Sequence, residues 1–197
     1  MIDPATPSSW RALRTVFLDR DGVINEKMPE GSYVRSPAEL RLLDGAAQAI
    51  ASLNRAGLRV IVLSNQRGIA LGLYTADDVR AIHAALEDQF AACGAHLDGF
   101  HFCPHDKNQC NCRKPLPGLF EQAVADHPDI TAASSVMIGD SLSDIEFGRR
   151  LGMRTIFIEG GPALHKPGTE RASELADERF HSLAEAVHSL LKDRTRA

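Results

Sequence analysis

The chain has 197 residues, 44% of them hydrophobic and 24% charged, with a formal net charge of −4. That is enough chain for one sizeable core and the wrong sign of charge for a protein that grips nucleic acid through a basic surface. No apolar run approaches the ~20 residues of a membrane span, and Met1 to Arg14 holds Pro4 and Pro7 but no apolar stretch of the signal-peptide kind.

Residues 1–14 read as a loose leader before a single domain over 15–197. An apolar strand, Thr15–Leu18, stops in Asp19-Arg20-Asp21-Gly22. Residues i and i+2 of a strand share a side, so two carboxylates can converge where it ends. They repel unless a hard cation such as Mg2+ joins them. One carboxylate can then attack while the other moves protons. The plain alternative is an Asp-rich turn. A short flap around Pro29–Ser36 leads to a helix over Gly45–Ala56, where Ala46, Ala49, Ile50 and Leu53 share a face. A second strand, Arg59–Leu63, delivers Ser64, Asn65 and Gln66, with Arg67 next. Thr75 caps a helix carrying Val79, Ile82, Leu86 and Phe90 at helical spacing. Cys93 reads as core beside Phe90.

The third strand, Gly99–Cys103, runs into Cys103-x-His105-x4-Cys110-x-Cys112. Three thiols and an imidazole match a closed tetrahedral zinc set, although the one-residue gaps are tighter than usual and idle cysteines remain the alternative. Free thiols around a metal suit a reducing compartment, so a cytoplasmic location is expected. Arg113 and Lys114 follow at the approach to a helix opened by Pro117 and running to about Asp126, a good place for an anion. A fourth strand, Val136–Ile138, ends in Gly139-Asp140-Ser141-Leu142-Ser143-Asp144, and Ser141 or Ser143 caps the next helix. A fifth strand covers Thr155–Ile158, Gly160–Gly168 is a loop, and a last helix spans Leu183–Leu191. Strands alternating with helices predict an α/β fold, a Rossmann-like parallel sheet with helices on both faces. Ligands of such sheets bind at the carboxyl ends of the strands, where Asp19/Asp21, Ser64/Asn65 and Asp140/Asp144 all fall. Singly, Ser64-Asn65 is a loop start, Asp140 a helix cap and Arg113-Lys114 a solvated basic pair.

D-x-D-G-x-[IV]-N, [ST]-N-Q-x-G-I-A, C-R-K-P and G-D-x-x-x-D stand here in that order. The set resembles the haloacid dehalogenase (HAD) superfamily of phosphohydrolases, in the branch of the D,D-heptose 1,7-bisphosphate and histidinol-phosphate phosphatases, over roughly residues 15–160. The resemblance implies a capless enzyme with an open site, since no large insertion separates the motifs. It implies Asp19 as a nucleophile that forms an aspartyl-phosphate and Asp21 as general acid, then base. Ser64 and Lys114 would hold the phosphoryl group. Asp140 would complete a Mg2+ site with the Asp19 carboxylate and the Asp21 carbonyl, and Asp144 would hold Lys114 from behind. Structural Zn2+ would sit on Cys103, His105, Cys110 and Cys112, stiffening the loop that presents Arg113 and Lys114. Asn65, Arg67 and Arg113 are the candidate substrate-binding residues.

Ser141, where the heptose phosphatases carry a basic residue, and Leu71, where they carry arginine, depart from the pattern, as does Arg67 in place of a small residue. The reaction class survives these changes. The implied substrate is a small sugar phosphate, heptose 1,7-bisphosphate first, with histidinol phosphate or another polyol phosphate as the alternative. The expected working unit is a monomer with neither nucleic-acid nor membrane partners. A phospho-accepting receiver module is the reading from a different class. Receivers have neither a D-x-D pair nor a zinc loop.

Overall fold

A computed structural model describes residues 10–29, 31–161 and 167–196. Six strands form one parallel sheet: β1 (Thr15–Leu18), β2 (Arg59–Asn65), β3 (Gly99–Cys103), β4 (Ser135–Gly139), β5 (Arg154–Ile158) and β6 (Glu178–Phe180). Their order is β3-β2-β1-β4-β5-β6. β1 lies between β2 and β4, with Leu18 opposite both Val62 and Ile138. The connecting helices are α1 (Ala46–Arg55), α2 (Ala76–Ala91), α3 (Gly118–Asp126), α4 (Leu142–Leu151), α5 (Thr169–Leu175) and α6 (Leu183–Arg196). Among the described residues, no helix is long and apolar enough to cross a membrane.

Strand alternation divides the core between the two faces of the sheet. Val16, Leu18, Val60, Val62, Val136 and Ile138 pack with Ile50 and Leu53 of α1, Ile82, Leu86 and Phe90 of α2, and Val187 and Leu190 of α6. Phe17, Ile61, Leu63 and Met137 point the other way, onto Leu119 and Ala123 of α3 and Phe147 of α4. Burying each of the larger side chains is worth about 1.5–3 kcal/mol. This two-sided burial clamps β1, β2 and β4, and so fixes where their C-terminal tips lie.

Several expectations need correction. The leader is not loose at its inner end. Trp10–Ala12 is a 3-10 helix, Trp10 and Leu13 are buried in the core, and Arg154 stacks 3.7 Å from the Trp10 ring. Residues 1–9 lie outside the described part, as do 162–166 of the expected loop over Gly160–Gly168 and residue 30 of the flap. Cys93 is exposed rather than core, because α2 ends at Ala91 and Gly94 turns with φ +67° just beyond Phe90. β2 runs two residues further than expected, through Ser64 and Asn65. α5 and β6 precede the last helix, which itself extends to Arg196.

Candidate active site

The tips of β1, β2 and β4 open into a cavity of ≈830 Å3, lined among others by Asp19, Asp21, Ser64, Asn65, Lys114 and Asp140. Asp19 continues the β1–β4 ladder, its N–H donating to the Ile138 carbonyl at 2.9 Å. Lys114 enters from the loop before α3 and is almost fully buried. Its ammonium lies 2.9 Å from Asp19 Oδ1 and 2.6 Å from Asp144 Oδ1, and it also donates to the Leu63 carbonyl. Burial disfavours this charge, but Asp144 and Asp19 outweigh it and raise the Lys114 pKa.

Oxygens of Asp19, Asp140 and Asp144 lie within 4.8 Å of one another. Burial, offset by Lys114 and reinforced by Asp144 and Asp140, pushes the Asp19 carboxyl up to about 7. Oxygen donors crowded in this way are what a hard divalent cation takes. Asp144 is the least free of the three. Oδ1 faces Lys114, while Oδ2 accepts from the Ser141 N–H at 3.1 Å and Ser141 Oγ at 2.6 Å, capping α4. That leaves Asp19 and Asp140 as side-chain ligands. Two glycines permit the crowding. A Cβ at Gly22 (φ +95°) would collide with the Asp140 carboxylate, and one at Gly139 with Asp144.

Asp21 departs from the simple picture of two converging carboxylates. β1 stops at Leu18, so neither aspartate is in the strand, and the Asp21 carboxylate is not part of the acidic cluster. It sits in a cage of donors. Arg20 reaches both oxygens at 2.9 Å, Asn25 Nδ2 reaches Oδ1 at 2.9 Å, and Gln66 Nε2 reaches Oδ2 at 3.2 Å. Burial would raise its pKa, but Arg20, Asn25 and Gln66 outweigh burial and hold it below the usual carboxylate range.

The candidate substrate-binding residues divide. Asn65 lines the cavity, but both ends of its amide bind the Lys114 backbone, at 3.0 and 3.1 Å, so its side chain positions the lysine loop. Arg67 also lines the cavity, with its guanidinium held by Asp106 at 2.5 and 3.3 Å. The pair ties the exit of β2 to the Cys/His loop. Arg113 lines the cavity too, and its buried Nη1 has no protein hydrogen-bond partner. Ser64 Oγ is buried and accepts from Gln66 at 2.7 Å.

Sequence reasoning missed Lys27. Its ammonium pairs with Asp140, and its side chain is only 7% exposed. The only sequence signal was a lone lysine in the flap region, because the contact spans 113 residues.

The four residues of the expected metal loop do come together. Cys103, Cys110 and Cys112 place their sulfurs 3.3–3.5 Å apart in chain order, and His105 Nδ1 lies 3.7 Å from Cys103 and 3.4 Å from Cys112. Tetrahedral ligands at ~2.3 Å from zinc stand roughly 3.7 Å apart, so the set fits that ion. Burial and the neighbouring sulfurs raise the Cys112 thiol pKa, so ionising all three needs a cation among them. The Arg113 N–H donates to Cys110 Sγ at 3.3 Å, joining this loop to the cavity wall.

Comparison with known proteins bears on this geometry. The HAD-hydrolase-like family model matches residues 111–186. A D-glycero-alpha-D-manno-heptose-1,7-bisphosphate 7-phosphatase of Mycobacterium tuberculosis is 40% identical over 171 residues, 86% of this chain and 87% of that one. The D-glycero-beta-D-manno-heptose-1,7-bisphosphate 7-phosphatase of Vibrio cholerae is 35% identical over 90% of this chain and 96% of its own. The crystal structure of D,D-heptose 1,7-bisphosphate phosphatase from B. bronchiseptica, complexed with magnesium and phosphate, superposes with a TM-score of 0.79 at 29% identity. The match covers 92% of this chain and 99% of that one.

Proposed function

The chain belongs to the D-glycero-D-manno-heptose-1,7-bisphosphate 7-phosphatase family of HAD-type phosphatases, and from that premise we propose that it hydrolyses the 7-phosphate of D-glycero-D-manno-heptose 1,7-bisphosphate through an aspartyl-phosphate on Asp19. The observation that carries the proposal is the buried Lys114 ammonium between Asp19 and Asp144, beside Asp140, at the floor of the cavity. Phosphoryl transfer is mainly positioning and charge neutralisation.

Asp19, Asp140 and the Asp21 carbonyl would hold Mg2+, which would supply positive charge against the phosphoryl oxygens. The residues of the chain do the rest. Lys114 neutralises a phosphoryl oxygen and Ser64 Oγ donates to another. Asp19 attacks phosphorus, and the P–O bond to the sugar breaks. Asp21 gives the departing alkoxide a proton. An arriving phosphate dianion raises the Asp21 pKa and so supports the protonated form this step needs. Asp21 then takes a proton from the water that cleaves the aspartyl-phosphate, releasing inorganic phosphate. Arg113 binds the far end of the substrate, where a guanidinium fork suits phosphate oxygens. Cys103, His105, Cys110 and Cys112 would hold Zn2+ and so stiffen the loop that carries Arg113 and Lys114. Four protein ligands would leave the ion no open position, which makes the role structural.

The test is phosphate release from both anomers of the bisphosphate, histidinol phosphate and triose phosphates, with Mg2+ and with EDTA. One bisphosphate anomer should lead in kcat/KM, the product should be heptose 1-phosphate, and EDTA should stop turnover. Asp19→Asn should fold and be inactive. A preference for histidinol phosphate overturns the substrate, and turnover by Asp19→Asn within tenfold of the parent overturns the mechanism.

A further inference from the structure

Between the reacting groups and the flap runs a buried chain of hydrogen bonds for which the mechanism above has no use. Gln66 follows β2 directly and is 1% exposed. Its amide nitrogen donates to Ser64 Oγ at 2.7 Å and to Asp21 Oδ2 at 3.2 Å. Its Oε1 accepts from the Tyr74 hydroxyl at 2.7 Å. Tyr74 is 7% exposed, and its ring lies 5.8 Å from that of Tyr33 in the flap. Gly68 makes room for it, since a Cβ there would fall on the Tyr74 ring.

The chemistry of the amide makes this arrangement directional. Nε2 has two hydrogens, and both are engaged. A flipped amide would set Oε1 against the Asp21 carboxylate, two acceptors with no proton between them. Tyr74 holds Oε1 in place. Burial pushes the Tyr74 pKa up to about 12, so the hydroxyl keeps its proton. One amide therefore fixes the spacing of Asp21 and Ser64, which otherwise belong to different strand tips.

We propose that Gln66, locked by Tyr74, is the positioning residue that sets the proton donor Asp21 in register with Ser64. The inference rests on the reading of Asp21 as the group that protonates the leaving alkoxide. Proton donation matters when a sugar alkoxide departs and hardly at all when p-nitrophenolate departs, because the phenolate is stable without a proton. A misplaced Asp21 therefore shows as selectivity for the leaving group, which a general loss of structure does not produce.

The experiment measures first-turnover release of the leaving group, with enzyme in excess and Mg2+ present. Heptose 1,7-bisphosphate is compared with p-nitrophenyl phosphate for the parent, Asp21→Asn, Gln66→Leu and Tyr74→Phe. Asp21→Asn is the control. It should lose at least thirtyfold more on the sugar phosphate than on the aryl phosphate. Gln66→Leu should show the same selectivity at tenfold or more, and Tyr74→Phe at threefold or more, each with the half-saturating enzyme concentration within threefold of the parent. Equal losses on both substrates in Gln66→Leu and Tyr74→Phe, beside a selective Asp21→Asn, overturn the inference and leave the phosphatase reading standing. An unselective Asp21→Asn overturns the role of Asp21, and the inference falls with it. If Gln66→Leu does not fold, as judged by Trp10 fluorescence, Tyr74→Phe decides: parental rates on both substrates overturn the proposal.

Discussion

Replacing Lys114 with methionine probes the charge balance on which the site depends. Methionine keeps most of the stem and removes the ammonium that lies 2.9 Å from Asp19 and 2.6 Å from Asp144. The two carboxylates then face each other, with oxygens no more than 4.8 Å apart. At an effective dielectric of ~20, two unit charges at that separation repel by about 3.5 kcal/mol. Removing one partner of a buried ion pair costs about 3–5 kcal/mol in general, so both routes give the same range. Trp10, the single tryptophan and 6% exposed, reports urea unfolding. Without added divalent cation at pH 7.5, Lys114→Met should lose about 3–5 kcal/mol. The pH response fixes the cause. Without Lys114, Asp19 loses the charge that offsets its burial, and its folded-state pKa rises further above the unfolded value. A group raised in this way stabilises below the unfolded pKa and loses that contribution as pH rises through the folded one. Asp19 already stands at about 7 in the parent. The deficit of the variant should therefore shrink between pH 7.5 and pH 5, and Mg2+ should also reduce it. An unchanged urea midpoint at pH 7.5, or a deficit that grows on acidification, refutes the reasoning.

Elemental analysis should find one zinc per chain, and Cys110→Ser should lower Tm and activity together, because the loop carrying Lys114 loses its anchor. A zinc-free preparation with parental stability removes that site. Lys27→Met should tighten Mn2+ binding, followed by electron paramagnetic resonance in place of Mg2+, by tenfold or more, since ammonium and metal contend for Asp140. Equal affinity in parent and variant rules out the competition. His83 is held neutral, its pKa lowered to about 2 by burial and by nearby Arg20. The unfolded chain gains the proton first as pH drops below ~6.5, so folding weakens by up to about 1.4 kcal/mol per pH unit. Urea unfolding at pH 7.5 and 5.5 should show a smaller difference for His83→Gln than for the parent, and identical pH dependence contradicts the assignment.

The parts of this fold that were legible in the sequence are those whose signal is local. The apolar runs of β1, β2 and β4 declare themselves, as does the Thr75–Asp78 capping box of α2. β6 gives no such signal. Glu178-Arg179-Phe180 is three residues at the sheet edge, none fully buried, and its pairing with β5 is set by the rest of the sheet. Ser64 and Asn65 look like the start of a loop because they are polar, yet they extend β2 because they pair with Phe102 and Cys103 of β3, a partner strand remote in sequence. Asp19 and Asp140 were readable because each follows an apolar strand, and Asp144 because it stands four residues beyond Asp140. Lys27 was not, because only chain closure brings it to Asp140. The burial of Arg20 against Asp21 carries no local signal either, since it depends on the chain leaving β1 at Leu18.

The cavity is built from two materials. Its reactive end rests on the tips of three laddered strands, held in register from Thr15 to Leu18 against both neighbours. Its outer wall comes from Met28, Pro29 and residues 31–34, from Lys107 and Asn108, and from Pro167 and Thr169, none of which lies in a strand. Changes in the outer wall therefore leave the spacing of Asp19, Lys114 and Asp140 untouched, while changes at the strand tips disturb it at once. Heritable drift and laboratory selection meet the same asymmetry. The range of sugars admitted can wander through the rim, one loop at a time, while the chemistry beneath stays constant.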